Sequence, residues 1–98
     1  MYLKIHELDG QVVAAACDRD LMGKVLSEGK IRIDLEKFGG FYKGGIASEA
    51  QVVEAIKAAT SANLVGKKAV GAAIKSGVAK ESQVRIVAGV PHLQVYRV

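Results

Sequence analysis

Tyr2-Leu3-Lys4-Ile5-His6-Glu7-Leu8-Asp9-Gly10-Gln11-Val12-Val13-Ala14-Ala15-Ala16-Cys17 is the stretch that decides the fold. Its first seven residues alternate apolar with polar, Asp9-Gly10 is a favoured pair for a two-residue turn, and the residues after it resume an extended pattern. The stretch therefore reads as a β-hairpin. From Val12 to Cys17 both faces are apolar, which predicts a second strand inside a sheet covered on each side, with the first strand at an edge or half-exposed.

Outward from the hairpin, Asp18 or Asp20 is expected to cap a short helix that buries Leu21, Met22, Val25 and Leu26 and stops at Gly29. Lys30 to Leu35 alternates cleanly, with Ile31, Ile33 and Leu35 inward, and predicts a strand. Four glycines and three of the five aromatics lie between Phe38 and Gly45, a loop composition. Ser48-Glu49-Ala50-Gln51 fits a capping box, so a helix starts there and buries Val52, Ile56 and Ala59, with Val53 alongside. Asn63 is read as the break before a second helix, which carries Val65, Ala69, Val70, Ala73 and Ile74 on its apolar face and ends at Gly77. The last strands are expected over 84–88 and 93–98, joined by a Gly89-Val90-Pro91-His92 corner that holds the only proline. The expected fold class is α+β: one domain over residues 1–98, with a mixed or antiparallel sheet of about five strands in the order β-β-α-β-α-α-β-β and helices mainly on one face.

Half of the 98 residues are hydrophobic and there is a single cysteine, so a modest core is available without a disulfide or metal staple. Together with a strand-like start at Met1 rather than a charged and then apolar leader, this predicts a reducing, cytoplasmic setting. The longest apolar runs fall far short of the roughly 20 residues that span a bilayer, and no membrane partner is expected. Charge is uneven. The first 49 residues hold seven Lys/Arg against eight Asp/Glu and the last 49 hold seven against two, so the net charge of +4 belongs to the C-terminal half. Such an excess attracts phosphates or an acidic partner.

Ser61-Ala62-Asn63-Leu64-Val65-Gly66-Lys67-Lys68 approaches the phosphate-loop pattern G-x-x-x-x-G-K-[ST] but fails at both ends. Ser61 stands at the first glycine and Lys68 at the hydroxyl residue, which excludes nucleotide hydrolysis by that device. Gly66, Lys67 and Lys68 at a helix start retain the chemistry to hold one phosphate. His6, His92, Cys17, Asp18 and Asp20 show none of the ligand spacings of a metal centre, and no metal or other cofactor is expected. Cys17 with His92 as base and Asp18 as orienter forms a nucleophile set only if the second strand lies next to the last. Strand parity is more informative. Tyr2, Lys4 and His6 share one face of the first strand, and His92, Gln94 and Tyr96 share one face of the last. Were those strands paired, rings, amides and cations would line one sheet surface of the kind that stacks and contacts RNA. Tyr42 and Lys43 in the glycine-aromatic loop either extend that surface or fold back on the core.

Ala16-Cys17-Asp18, Leu21-Met22-Gly23-Lys24, Phe41-Tyr42-Lys43-Gly44-Gly45, Ala62-Asn63-Leu64-Val65-Gly66 and Gly89-Val90-Pro91-His92-Leu93-Gln94-Val95, in that order, resemble an uncharacterised family of small archaeal proteins. The chain departs from the family pattern at Ala16, where valine is usual, and at Leu93, where alanine is common, and neither position carries a polar group. The resemblance implies an archaeal, cytoplasmic origin and supplies no activity.

The function expected first is a non-catalytic module that binds RNA or a ribonucleoprotein through the basic C-terminal half. Its candidate contacts are Lys4, His6, Tyr42, Lys43, Asn63, Gly66, Lys67, Lys68, His92, Gln94 and Tyr96. Second comes a protein-interaction or homo-oligomeric structural protein. Third is a small enzyme built on Cys17, Asp18 and His92.

Overall fold

The structure, a computed structural model, describes residues 1–96; the expected end of the last strand at Val98 lies outside the described residues. Along the chain run β1 (Tyr2–Leu8), β2 (Gln11–Cys17), β3 (Val25–Glu28), β4 (Ile31–Asp34), β5 (Gly45–Ile46), α1 (Glu49–Ala58), β6 (Ser61–Val65), α2 (Lys67–Lys75), β7 (Arg85–Val87) and β8 (Val90–Tyr96). The strands form a six-stranded mixed sheet in the order β5-β1-β2-β6-β8-β7 and a separate β3-β4 ribbon, an α+β arrangement.

The opening hairpin forms with Tyr2 opposite Cys17 and Leu8 opposite Gln11. Its turn residues Asp9 and Gly10 take φ of 52° and 78°, the left-handed pair whose twist suits two antiparallel strands. Ala14, Ala15, Ala16 and Cys17 are fully buried, because β2 is covered on both faces. One face packs on the two helices, where Ala14, Ala16, Ala62, Leu64, Leu93 and Val95 meet Val52, Ile56, Ala69, Val70, Ala72 and Ala73. On the other face, Ala15, Cys17, Val65 and Val87 pack under Leu21, Leu26, Leu35 and Tyr42. The alanines of β2 and α2 allow the helix and sheet backbones to approach closely.

β6 runs parallel to β2, pairing Val13 with Ser61 and Cys17 with Val65. Thr60 fixes that register: its Oγ1 accepts from the Val12 amide and donates to the Val12 carbonyl, both at 2.9 Å. α1 begins with the expected capping box. The Ser48 hydroxyl accepts from Gln51 N at 3.2 Å and Gln51 Oε1 accepts from Ser48 N at 2.8 Å, satisfying two amides that a helix start leaves free.

Four expectations are corrected. The helix expected after Asp18 is only a 3-10 turn at Arg19–Leu21. Val25 and Leu26 instead pair with Asp34 and Ile33, and Gly29 turns the ribbon at φ 60° rather than ending a helix. Asn63 is a mid-strand residue, not a helix start, since pairing on both sides with Ala15 and Gln94 overrides its weak strand preference. The corner between the last strands is the two-residue turn Ala88-Gly89, and Pro91 and His92 lie inside β8. Pro91 fits there because its carbonyl, and hence its missing N–H, faces the point where β6 gives way to Gly66; that carbonyl accepts from Gly66 N at 2.9 Å. The Val90-Pro91 bond is trans. Finally, β1 and β8 do not pair: β2 and β6 stand between them.

Candidate functional site

Parallel strands β2 and β6 end together, and the residues just beyond the two strand ends build one crevice. Asp18 continues β2 and donates its amide to the Val65 carbonyl at 3.1 Å. Gly66 continues β6 and opens α2. Across this junction the buried Asp18 carboxylate accepts from the amides of Lys68 at 3.1 Å and Ala69 at 2.9 Å. A carboxylate at a helix start satisfies free N–H groups and meets the positive end of the helix dipole. Gly66 has φ 109°, and a Cβ on it would collide with the Asp18 carboxylate, 2.6 Å from each oxygen. Only glycine allows the strand to turn into the helix over that side chain. The phosphate position expected at Gly66, Lys67 and Lys68 is thus already held at two amides by the protein's own anion. The Lys67 and Lys68 side chains remain for a ligand.

Four open clefts adjoin here and all are bordered by Lys67. One of about 620 Å³ lies among Met1, Tyr2, Asp18, Arg19, Asp20 and Lys68. A second, about 490 Å³, runs along α2 past Lys68, Gly71 and Lys75 to Glu49 and Ala47. The third, about 300 Å³, reaches Gly89 and Pro91, and the fourth, about 380 Å³, reaches Ile86, Val84 and Ile74. Ligands of sheets with parallel strands are commonly taken beyond the carboxyl ends of those strands, which is this location. Lys75 is paired with Glu49 at 2.9 Å, and the Met1 amine donates to the Ala47 carbonyl at 3.4 Å. Arg19, Lys67 and Lys68 are the cations left along the rim.

The remaining predicted residues fall into two other groups. Lys4 Nζ donates to the Gly40 carbonyl at 3.0 Å, and His6 Nε2 donates to the Phe41 carbonyl at 2.8 Å while its ring stacks on Phe41, centroids 4.4 Å apart. Lys43 lies over the Tyr2 ring at 5.9 Å. Tyr42 is buried, and burial, then the nearby Cys17, pushes its hydroxyl up to about 12. The glycine-aromatic loop folds back on the core and engages the polar face of β1. Asn63, His92, Gln94 and Tyr96 share the same sheet face farther across, with Asn63 opposite Gln94. The expected parity holds within each strand, but the two sets are separated by β2 and β6, and no continuous wall joins them.

Cys17 and His92 also share that face, yet Val65, fully buried, stands between them in the register, placing their Cα atoms about two strand spacings or ~10 Å apart. The Cys17 thiol donates to the Asp18 carbonyl at 3.3 Å. Burial, then the charges of Asp18 and Asp20, pushes it up to about 12, opposite to the shift an activated thiol needs. Asp18 is engaged with α2, so the expected set of Cys17, His92 and Asp18 does not assemble. Among the described residues no three His, Cys, Asp or Glu side chains stand together as a metal site, and no helix is long and apolar enough to cross a membrane.

Sequence reasoning missed Arg19 at the rim and Arg85 beside His92; it singled out Tyr2 with Lys4 and His6 on the face of β1, and not at this rim. Arg85 was within reach: reading Ala88-Gly89 as a two-residue turn places it directly opposite His92.

No curated protein matches the chain. An uncharacterized conserved protein from Methanopyrus kandleri, known from its crystal structure, is similar to it, with 28% identity and a TM-score of 0.78 over 97% of this chain and 89% of that one. The five blocks singled out in the sequence are carried by a match over residues 6–98 to the family described as Protein of unknown function (DUF424), and the chain belongs to that family.

Proposed function

We propose that the protein is a non-catalytic module of the cytoplasm that binds single-stranded RNA, alone or within a ribonucleoprotein, along the rim over the carboxyl end of β2 and β6. The observation that carries this reading is the convergence of four open clefts on Lys67. A run of connected shallow clefts suits a polymer better than an enclosed small molecule. Arg19, Lys67 and Lys68 supply positive charge for phosphates, and the Tyr2 ring in the same cleft supplies a stacking surface. Asp18 is engaged with the amides of α2, and Asp20, which lines two of these clefts, offsets part of the positive charge.

The test is fluorescence anisotropy of a labelled single-stranded RNA titrated with protein over a salt series. Affinity is expected to rise as salt falls, and the Lys67→Ala/Lys68→Ala double variant is expected to flatten the slope of log K against log salt by about 1.4, or ~0.7 per lost phosphate contact. No affinity at low salt, or a slope unchanged in the double variant, refutes the reading.

One observation favours a second reading, self-association through β1. β5 pairs only with Tyr2 and Leu3, so the outer edge of β1 from Lys4 to Leu8 has no strand partner among the described residues, and Ile5 and Leu8 are 42% and 75% exposed. Such an edge is a template for another strand. Light scattering over a concentration series decides it, because a mass constant at one chain removes the reading.

A further inference from the structure

On the sheet face away from the helices, a small cleft is lined by side chains that the rim over β2 and β6 does not use. Gln83, Arg85, His92 and Gln94 line a half-open cleft of about 160 Å³, with His92 half-buried and the other three exposed. Their convergence follows from the register. Arg85 and His92 are cross-strand partners on β7 and β8, so both side chains leave the same face about 5 Å apart. Gln94, two residues along β8, faces the same way. Gln83 comes from the turn before β7, with its Oε1 accepting from Lys80 N at 2.8 Å, so its amide hydrogens are what it can still offer.

The group is rich in donors and has no carboxylate in its lining. Among the described residues, the Arg85 guanidinium has no ion pair or hydrogen bond and the His92 ring has no hydrogen-bond partner. An uncommitted guanidinium beside a half-buried imidazole is an arrangement that an anion completes, since a planar fork and a ring N–H can both donate to one oxyanion. We propose that Arg85, His92, Gln83 and Gln94 form a binding site for one small oxyanion, a phosphate or carboxylate group bridging Arg85 and His92. The state of the empty site agrees: burial, and then the Arg85 charge, hold His92 below its ordinary value, the opposite of what an acidic neighbour would do. This site is separate from the rim at Lys67 and does not depend on it.

The experiment follows the His92 ring and Arg85 side-chain signals by NMR at constant pH while inorganic phosphate, acetate or a short single-stranded RNA is added. The His6 ring, hydrogen-bonded to Phe41 on another strand, reports whether any change is local. A saturable shift of His92 and Arg85 with His6 unmoved is expected. Response to phosphate, to acetate, or to RNA alone supports the site and identifies its oxyanion as free phosphate, carboxylate or phosphodiester. Arg85→Gln is expected to weaken the response by about tenfold or more, as loss of one charge-assisted contact does. The Lys67→Ala/Lys68→Ala variant is expected to keep the response to inorganic phosphate and to acetate, so failure here is distinguishable from failure of RNA binding at the rim. Absence of a saturable shift with all three probes overturns the proposal. So does a response that survives Arg85→Gln in protein whose amide spectrum is otherwise unchanged.

Discussion

Substituting Gly66 by alanine tests how β6 is joined to α2. At φ 109° a side chain strains the backbone by about 1–3 kcal/mol. The new Cβ also occupies the space of the Asp18 carboxylate and drives it off the amides of Lys68 and Ala69. Two charge-assisted bonds at a partly buried helix start, partly replaced by water, contribute about 2–4 kcal/mol. Gly66→Ala is therefore expected to destabilise by about 3–7 kcal/mol, a large share of the ~5–15 kcal/mol that a domain has. Asp18→Ala alone should lose about 2–4 kcal/mol, since the bonds go but the strain is absent. In the double variant the carboxylate is already gone, so adding Asp18→Ala to Gly66→Ala should cost almost nothing further. The two effects should then fall short of additivity by about 2–4 kcal/mol. Urea unfolding followed by circular dichroism measures all four corners of the cycle, with unchanged m-values as the check on two-state behaviour. Strict additivity, or a Gly66→Ala variant within about 1 kcal/mol of the parent, refutes the link between this glycine and Asp18.

Alkaline stability should report Cys17: with its pKa raised from 9.0 to about 12, the folded state favours the neutral thiol, and that stabilisation is complete below pH 9 and lost as pH rises towards 12. The loss amounts to at most about 4 kcal/mol; urea midpoints across that range should fall less steeply in Cys17→Ala, and parallel slopes count against it. Ala88 has φ 51°, so Ala88→Gly should raise stability by about 0.5–1 kcal/mol, and an unchanged or lower thermal midpoint would contradict the strain. Thr60→Val removes both side-chain bonds to Val12 and should cost about 1–3 kcal/mol, with faster hydrogen exchange at the Val12 amide as the specific signature.

The parts of the fold legible in the sequence are those whose signal is local. Asp9-Gly10 announces its turn, Val12 to Cys17 its two-sided burial, and Ser48 with Gln51 the start of α1. The features that escape depend on distant partners. Asn63 and its neighbours form a strand because β2 and β8 lie on either side, and Val25-Leu26 form one because β4 lies across Gly29; neither segment carries a strong strand composition of its own. Parity places the candidate residues on the correct faces, but it carries no information about strand order, so it cannot reveal that β2 and β6 fill the gap between β1 and β8. The Asp18-Gly66 contact joins positions 48 residues apart in number, and a glycine required by another residue's carboxylate has no signature in its own neighbourhood.

The position of β8 has a consequence for biosynthesis. Residues 90–96 leave the ribosome after every other described strand, yet they occupy an inner place, joining β6 to β7. Until they emerge, β6 presents an open edge and the helices rest on an unfinished sheet lacking Leu93 and Val95. A nascent chain halted before Val90 therefore exposes an unpaired strand edge and apolar helix and sheet surface, the features that make partly folded chains prone to aggregate.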